Sequence, residues 1–300
     1  MNVWLVGARG MLGQAVAERL ARARVPVMAT DVEVDIGDPA AVDGQLAAGR
    51  VTHIINCAAY TAVDAAESDE AGARRVNLDG PRHLAAAAAR TGASLLHVST
   101  DYVFDGRARE PYDEESPCAP LGVYARTKHR GEVEVLETLP DPEASRRVYV
   151  VRTSWLFGEG GGNFVATMLR LMSERESLRV VADQWGRPTY SQDLAEAMLR
   201  LLELDPDHSG PRADSGVYHF ANRGATTWHA FACAVLELGR QRGLRLVTEV
   251  VAPISTSEYP VPAPRPGYSV LATEKIEAAL DYAPRPWQEA LRDYLERITP

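Results

Sequence analysis

Short apolar runs alternate along this chain with longer stretches in which apolar residues recur every three or four positions. The first run, Val3-Trp4-Leu5-Val6, has no polar face and predicts a strand buried on both sides, as in a parallel sheet. A glycine-rich turn follows, then a helical pattern to about Ala23. Val25 to Thr30 reads as a second strand, and Asp38 as the cap of a helix that begins at Pro39. His53-Ile54-Ile55-Asn56 is a third strand, running into the small residues Cys57, Ala58 and Ala59. A long helix is predicted from about Glu70 to Arg90, with Asn77 inside it. Asparagine is mildly unfavourable in mid-helix, so Asn77 either bonds to a neighbouring strand or lies on the surface. Ser94 to Ser99 is the next strand, Val123 to Lys128 starts a helix, and Arg147 to Thr153 is a further strand. Beyond it the pattern predicts helices from Asn163 to about Ser173, Ser191 to Leu204, Thr226 to Gln241, Glu274 to Leu280 and Trp287 to Ile298. Ala252 to Pro266 is rich in proline and reads as a loop over a pocket rather than a linker. Strand and helix in alternation predict an α/β fold, a parallel sheet wound with helices on both faces.

Gly7-Ala8-Arg9-Gly10-Met11-Leu12-Gly13 joins the first strand to the first helix, the context that a dinucleotide fingerprint requires. Gly7 allows the tight turn. Gly10 lets the backbone, with Met11 and Leu12, approach a pyrophosphate at the helix N-terminus, where free N–H groups favour anions. Gly13 permits close packing of helix on strand. The second strand ends in Asp31, placed where a ribose 2′-hydroxyl is held, which favours NADH. Arg9 argues the other way, toward the 2′-phosphate of NADPH, and Asp31 is also readable as a strand-end cap. Asp35 and Ile36 lie in a segment that borders the adenine in folds of this kind. The loop Ala58-Ala59-Tyr60, at the carboxyl end of its strand, lets a flat cofactor lie against the backbone.

Tyr124 and Lys128 sit four residues apart, which places both on one helix face. A phenol beside an ammonium is a proton donor, and the nearby charge is expected to lower the phenol's pKa. Thr100 ends the strand before them, where its hydroxyl either caps the strand or holds a substrate oxygen. Asn163 either caps an ordinary helix or opens a second anion-receptive helix start suited to a sugar-nucleotide diphosphate. Arg265 is a second candidate for that diphosphate.

These segments are colinear with a known family. The glycine loop, Asn56-Cys57-Ala58-Ala59-Tyr60-Thr61-Ala62-Val63-Asp64, Ser99-Thr100-Asp101-Tyr102-Val103-Phe104-Asp105-Gly106 and Tyr124-x-x-x-Lys128 resemble the extended short-chain dehydrogenase/reductase superfamily. With Arg152-Thr153-Ser154-Trp155, Gly162-Asn163-Phe164, Asp183 to Thr189 and Arg265-Pro266-x-x-Ser269-x-Leu271, they resemble the dTDP-4-dehydrorhamnose reductase family within it. The resemblance implies a Rossmann-type doubly wound parallel sheet with a smaller, discontinuous α/β substrate domain. It implies a division into 1–153 for NAD(P) binding and 154–300 mainly for substrate, with segments returning to the core. It implies reduction of the 4-keto group of dTDP-4-dehydro-L-rhamnose to dTDP-L-rhamnose with NADPH or NADH. Tyr124 is then the general acid, Lys128 holds the nicotinamide ribose, and Thr100 positions the substrate oxygen. Asp101, Trp155 and Arg187 fall at positions implied to face the sugar nucleotide. Cys57 and Tyr60 depart from the family's usual alanine and histidine. Some members form dimers bridged by Mg²⁺ through glutamates; no matching glutamate set stands in this sequence, so no metal ligands are assigned and monomer or homodimer is left open.

Composition narrows the alternatives. Three hundred residues with 46% hydrophobic and 24% charged positions suit one large domain or two intimate ones. A net charge of -9 argues against a nucleic-acid surface. The cysteines, Cys57, Cys118 and Cys233, are odd in number and scattered, and read as free thiols in a reducing compartment. None of the seven histidines has a partner at metal spacing. No membrane span or signal pattern is seen, so the expected location is cytoplasmic. A dehydratase of this superfamily carries Asp-Glu after the threonine, whereas Asp101-Tyr102 stands here. An epimerase or another nucleotide-sugar ketoreductase is harder to separate, and a non-catalytic regulatory subunit is disfavoured because Tyr124, Lys128 and Thr100 are all present.

Overall fold

The computed structural model describes residues 2–47, 49–140, 144–207 and 213–299. Its first half runs β1 (Val3–Val6), α1 (Met11–Arg22), β2 (Val27–Thr30), α2 (Pro39–Ala47), β3 (His53–Asn56), α3 (Val63–Ala66), α4 (Glu70–Arg74), α5 (Gly80–Thr91), β4 (Ser94–Thr100), α6 (Val123–Leu136) and β5 (Val148–Thr153). The second half adds β6 (Leu156–Phe157), α7 (Phe164–Glu174), β7 (Ser177–Val181), β8 (Trp185–Gly186), β9 (Thr189–Tyr190), α8 (Ser191–Leu201), β10 (Gly216–His219), β11 (Thr226–Thr227), α9 (Trp228–Gln241), β12 (Val250–Ile254), α10 (Glu274–Leu280) and α11 (Trp287–Ile298).

Among the described residues the main sheet has six strands in the order β10-β5-β4-β3-β1-β2, all parallel. The order reverses between β1 and β3, so a crevice opens there at the strands' carboxyl ends. The uniformly apolar β1 is explained by its two faces. Val3 and Leu5 pack with Leu12, Val16, Leu20, Leu194 and Met198 from α1 and α8. Trp4 and Val6 point the other way, into a core with Ile36, Val42, Leu84 and Ala85. Successive side chains of a strand face opposite sides, and each such fully buried side chain contributes about 1.5–3 kcal/mol. A further core lies beside the sheet, built by Phe157, Val165, Met172, Leu178, Tyr190, Phe231, Val235, Leu291 and Leu295.

Three expectations are corrected. The helix expected over Glu70–Arg90 is two helices, α4 and α5, joined by a π-helical turn at Arg75–Asp79. Asn77 sits in that turn, fully buried. Its Oδ1 accepts the Tyr60 N–H at 2.8 Å, and its Nδ2 donates to the Tyr60 carbonyl at 3.1 Å and to Thr127 Oγ1 at 3.3 Å. It thus ties the loop after β3 to α6, and lies neither at a strand nor on the surface. The first residues of the proline-rich stretch are not loop: Ala252 to Ile254 belong to β12, which pairs in parallel with β7. Thr226 and Thr227 form β11 ahead of α9, whose cap is Thr227, accepting from the Ala230 N–H. β7, β10 and the first two residues of β12 had no expectation attached.

Candidate active site

The crevice at the β1–β3 switch point is built first by the glycine turn. Gly7 has φ +76°, and a Cβ there would stand 2.6 Å from Ala58 N. A Cβ on Gly13 would stand 2.1 Å from the Gly7 carbonyl oxygen and 2.7 Å from Ala8 Cα. The fold itself therefore demands these two glycines. Gly10 differs: a Cβ there would meet only the Gly7 oxygen, at an ordinary 3.4 Å. Gly10 borders a cavity of about 450 Å³ together with Met11, Leu12 and Gly13. No side chain caps α1 and no acidic residue stands in its first turn, so its leading N–H groups favour an anion.

The same cavity is bordered by Thr100, Asp101, Tyr102, Tyr124, Lys128, Trp155 and Ala59. Four separate elements supply them, with Ala59 on the loop that leaves β3. β4 ends at Thr100, which carries Asp101 on the following turn. α6 contributes Tyr124 and Lys128, and β5 runs out to Trp155. Thr100 Oγ1 donates to Asp101 Oδ1 at 3.1 Å and accepts the Tyr102 N–H at 3.2 Å. The Tyr102 ring stands edge-on to that of Tyr124, with centroids 5.8 Å apart. Trp155 has φ +47°, a strained backbone for an indole residue. It is held there by stacking on Trp228 at 3.5 Å and by Gly186, where a Cβ would stand 2.4 Å from the indole.

The charge environment departs from expectation. Burial pushes the Tyr124 phenol up to about 12; hydrogen bonding with Thr100 opposes this and the Asp101 carboxylate adds to it. Lys128 was expected to lower it. Instead Lys128 is buried with its Nζ turned to β4, donating to the Val98 carbonyl at 2.7 Å and meeting His97 Nε2 at 3.3 Å. Its own ammonium is pulled down from 10.5 to about 8, by burial first, against the charges of Glu132 and Cys57. Asp101 is pushed up to about 7 by burial, with the Ser269 and Thr100 hydroxyls opposing. The site is thus dominated by desolvation rather than by a fixed positive charge.

The remaining expected residues are placed as follows. Asp31 Oδ2 accepts the Arg9 N–H at 2.8 Å, and Glu33 accepts the Asp31 N–H at 2.7 Å. The Arg9 guanidinium lies against both carboxylates, 2.6 Å from Glu33 Oε2 and 3.6 Å from Asp31 Oδ1. Asp35 pairs with Arg75 and accepts the Gly37 N–H, and Ile36 is buried in the core under α5. Tyr60 and Tyr124 both pack against a small apolar cluster of Ala66, Ala73 and Val123. Asn163 caps α7, accepting from the Ala166 N–H and donating to the Gly158 carbonyl. Arg187 reaches Thr273 at 3.3 Å. Neither Asn163 nor Arg187 borders either cavity among the described residues. Arg265 does. It borders a second cavity of about 750 Å³ that shares Tyr102 and Trp228 with the first, and it pairs there with Asp64 at 2.8 Å. Arg175, Arg179, Phe164 and Tyr259 also line this second cavity.

Sequence reasoning missed Asn56, His97, Glu132 and Arg152. Glu132 and Arg152 form a buried ion pair behind the site, with contacts from 2.8 to 3.2 Å. The signal for Arg152 and His97 is a polar residue inside an otherwise apolar stretch, Val148-Tyr149-Val150-Val151-Arg152 and Leu95-Leu96-His97-Val98; Glu132 stands among charged residues and carries no such signal. Cys118, His129 and Glu132 bring ligand-type atoms within 4.8 Å of one another. Arg152 donates to both Cys118 and Glu132, so a cation already occupies that corner.

A nicotinamide dinucleotide fits these residues. Ser99 Oγ and Thr153 Oγ1 are buried without a protein partner, on residues that border the cavity, and the Gly10 edge is free of protein atoms that would need a glycine there. No helix among the described residues is long and apolar enough to cross a membrane.

The family described as the RmlD substrate binding domain matches residues 1–299. A dTDP-4-dehydrorhamnose reductase from Streptomyces griseus is 44% identical, over 97% of this chain and 92% of its own. A probable dTDP-4,6-dihydroxy-2-methyloxan-3-one 4-ketoreductase from Streptomyces antibioticus is 40% identical, over 97% and 93%. The crystal structure of dTDP-4-dehydrorhamnose reductase from Bacillus anthracis in complex with NADP superposes with a TM-score of 0.88, at 35% identity and 99% coverage of both chains.

Proposed function

The chain belongs to the dTDP-4-dehydrorhamnose reductase family, and we propose from that premise how its residues divide the work. It is an NAD(P)H-dependent oxidoreductase that reduces the 4-keto group of dTDP-4-dehydro-L-rhamnose, in dTDP-rhamnose biosynthesis. The observation that supports the residue roles is the meeting of Tyr124, Thr100 and Lys128 around one cavity beside the uncapped start of α1. A reduced nicotinamide bound there supplies the hydride. Tyr124 protonates the ketone oxygen as negative charge develops on it. A phenol pushed up to about 12 holds its proton throughout the neutral range, the form that reduction requires. Thr100 orients the oxygen by turning its one hydroxyl hydrogen from Asp101, 3.1 Å away, to the substrate. Gly10 to Gly13 take the pyrophosphate. The larger cavity, with Arg175, Arg179 and Arg265 at its edge and Phe164 and Tyr259 in its wall, takes the nucleoside diphosphate. Residues 1–153 then serve mainly the cofactor, and 154–300 mainly the substrate, with α8 and β10 returning to the core of the main sheet.

The test is NADH or NADPH oxidation with dTDP-4-keto-6-deoxysugars beside a UDP counterpart. The dTDP substrate is expected to turn over, and Tyr124→Phe to lower kcat by roughly 10²–10⁴-fold while dinucleotide binding persists. Full turnover by Tyr124→Phe would overturn the role of the phenol.

A further inference from the structure

The hydrogen bonds behind Lys128 have a direction that can be followed atom by atom. Asn56, the last residue of β3, is fully buried, and its Oδ1 accepts the Ala58 N–H at 3.1 Å. That orients the amide. Its Nδ2, which carries only hydrogens, faces His97 Nδ1 at 3.0 Å. His97 Nδ1 is therefore the acceptor, and the ring proton sits on Nε2. Nε2 lies 3.3 Å from Lys128 Nζ, while Nζ donates to the Val98 carbonyl at 2.7 Å. An ammonium has three hydrogens and no lone pair, so it makes no hydrogen bond with an N–H. A neutral amine can donate to Val98 and accept from His97 at once.

We propose that His97, locked by Asn56, is a positioning residue that presents an N–H to Lys128 and so sets the pH at which the lysine loses its proton. Lys128 is then a group that exchanges a proton near neutrality rather than a fixed cation. The other titratable groups around it are Tyr124 one turn before on α6, Glu132 one turn after and Cys57 beyond β3. Glu132 is already neutralised by Arg152 of β5. Burial, and then the Lys128 charge, hold His97 well below the usual imidazole range, so the ring is neutral and its tautomer is the variable that matters. The inference deepens the reductase reading and rests on it only for its consequence, since reduction consumes the proton of Tyr124.

The experiment reads protons, not turnover. The chain has two lysines, Lys128 and Lys275, so Cε signals of ¹³C-lysine protein resolve both, and ring ¹⁵N signals report the His97 tautomer. Between about pH 6 and 9, His97 is expected to stay neutral with its proton on Nε2. Lys128 is expected to titrate at least about one pH unit below the ordinary lysine value of 10.5. Asn56→Asp keeps an acceptor for Ala58 but now accepts from His97 Nδ1. The ring should flip to the other tautomer, Nε2 should accept from an ammonium, and the Lys128 ionisation constant should fall by at least about tenfold. A proton on Nδ1 in the wild type overturns the proposal. So does a lysine that does not move in Asn56→Asp, or one that moves without a tautomer flip, which would assign the effect to the new charge alone. Titrating the same sample with NADH and NADPH separates the two readings: failure of both to bind, with the tautomer as stated, ends the reductase assignment and leaves this one standing.

Discussion

Replacing Lys128 by methionine is expected to stabilise the protein at neutral pH while abolishing its activity. The lysine is only 2% exposed. Burial brings its ammonium from 10.5 down to about 8. A fall of that size corresponds to roughly 3 kcal/mol of folded-state destabilisation whenever the lysine is charged. Methionine has a stem of similar length and no charge, but it leaves the Val98 carbonyl without its donor, while the His97 N–H has no bond to lose to the ammonium present at pH 7. An unpaired buried carbonyl costs about 1–2 kcal/mol, so the variant should gain about 1–2 kcal/mol net at pH 7.

The dependence on pH has a definite sign. The folded lysine releases its proton at a lower pH than the unfolded one. Between about 8 and 10.5 the unfolded chain therefore binds more protons, and wild-type stability rises with pH. The advantage of Lys128→Met should be constant below pH 8 and shrink steadily above it. Urea unfolding of both proteins from about pH 7 to 10, followed by tryptophan fluorescence, measures this directly. A difference independent of pH across that window would refute the reasoning. So would a variant less stable than wild type by more than about 2 kcal/mol at pH 7.

Three further outcomes follow from the geometry. Glu132→Ala leaves the Arg152 guanidinium buried beside Cys118 and His219, and chemical denaturation should show a loss of about 3–5 kcal/mol; a loss under about 1 would mean the pair is not holding α6 to β5. Gly13→Ala forces a Cβ to within 2.1 Å of backbone oxygen and should lose at least about 1–3 kcal/mol, whereas Gly10→Ala should change stability by under about 0.5 kcal/mol yet weaken dinucleotide binding in calorimetry. Glu33→Gln removes one of the two carboxylates that engage Arg9 and should tighten NADPH by about tenfold relative to NADH; an unchanged ratio would show that Arg9 and its acids do not read the ribose.

What could be read from the chain alone was local. A glycine turn between an apolar run and a helix needs only a dozen neighbouring residues, and the backbone contacts of Gly7 and Gly13 explain why those positions tolerate nothing larger. Tyr124 and Lys128 were placed by the pitch of one helix. The parts that escaped depend on partners far along the chain. β7 and β12 pair across more than seventy residues, and three of the five residues of β12 lie in a stretch whose prolines argue for loop. Asn77 looked like a mild fault in a long helix. It sits instead where the helix widens into a π turn, with its amide bonded to Tyr60 and Thr127.

The protonation of the site was the least legible part, and the reason is physical. Helical spacing predicts that two side chains share a face, but not which way their ends turn. Lys128 stands one turn from Tyr124, yet its Nζ is held to the β4 backbone and to His97. The phenol is left to the effect of burial and rises instead of falling. A motif thus specifies which groups meet, while the second layer of polar residues decides which of them carries a proton. That layer here is Asn56, His97, Glu132 and Arg152, four residues drawn from four elements. Reading reactivity from such a pair in any chain of this architecture therefore requires the residue on the central strand that faces the lysine, since a donor there and an acceptor there predict opposite charge states.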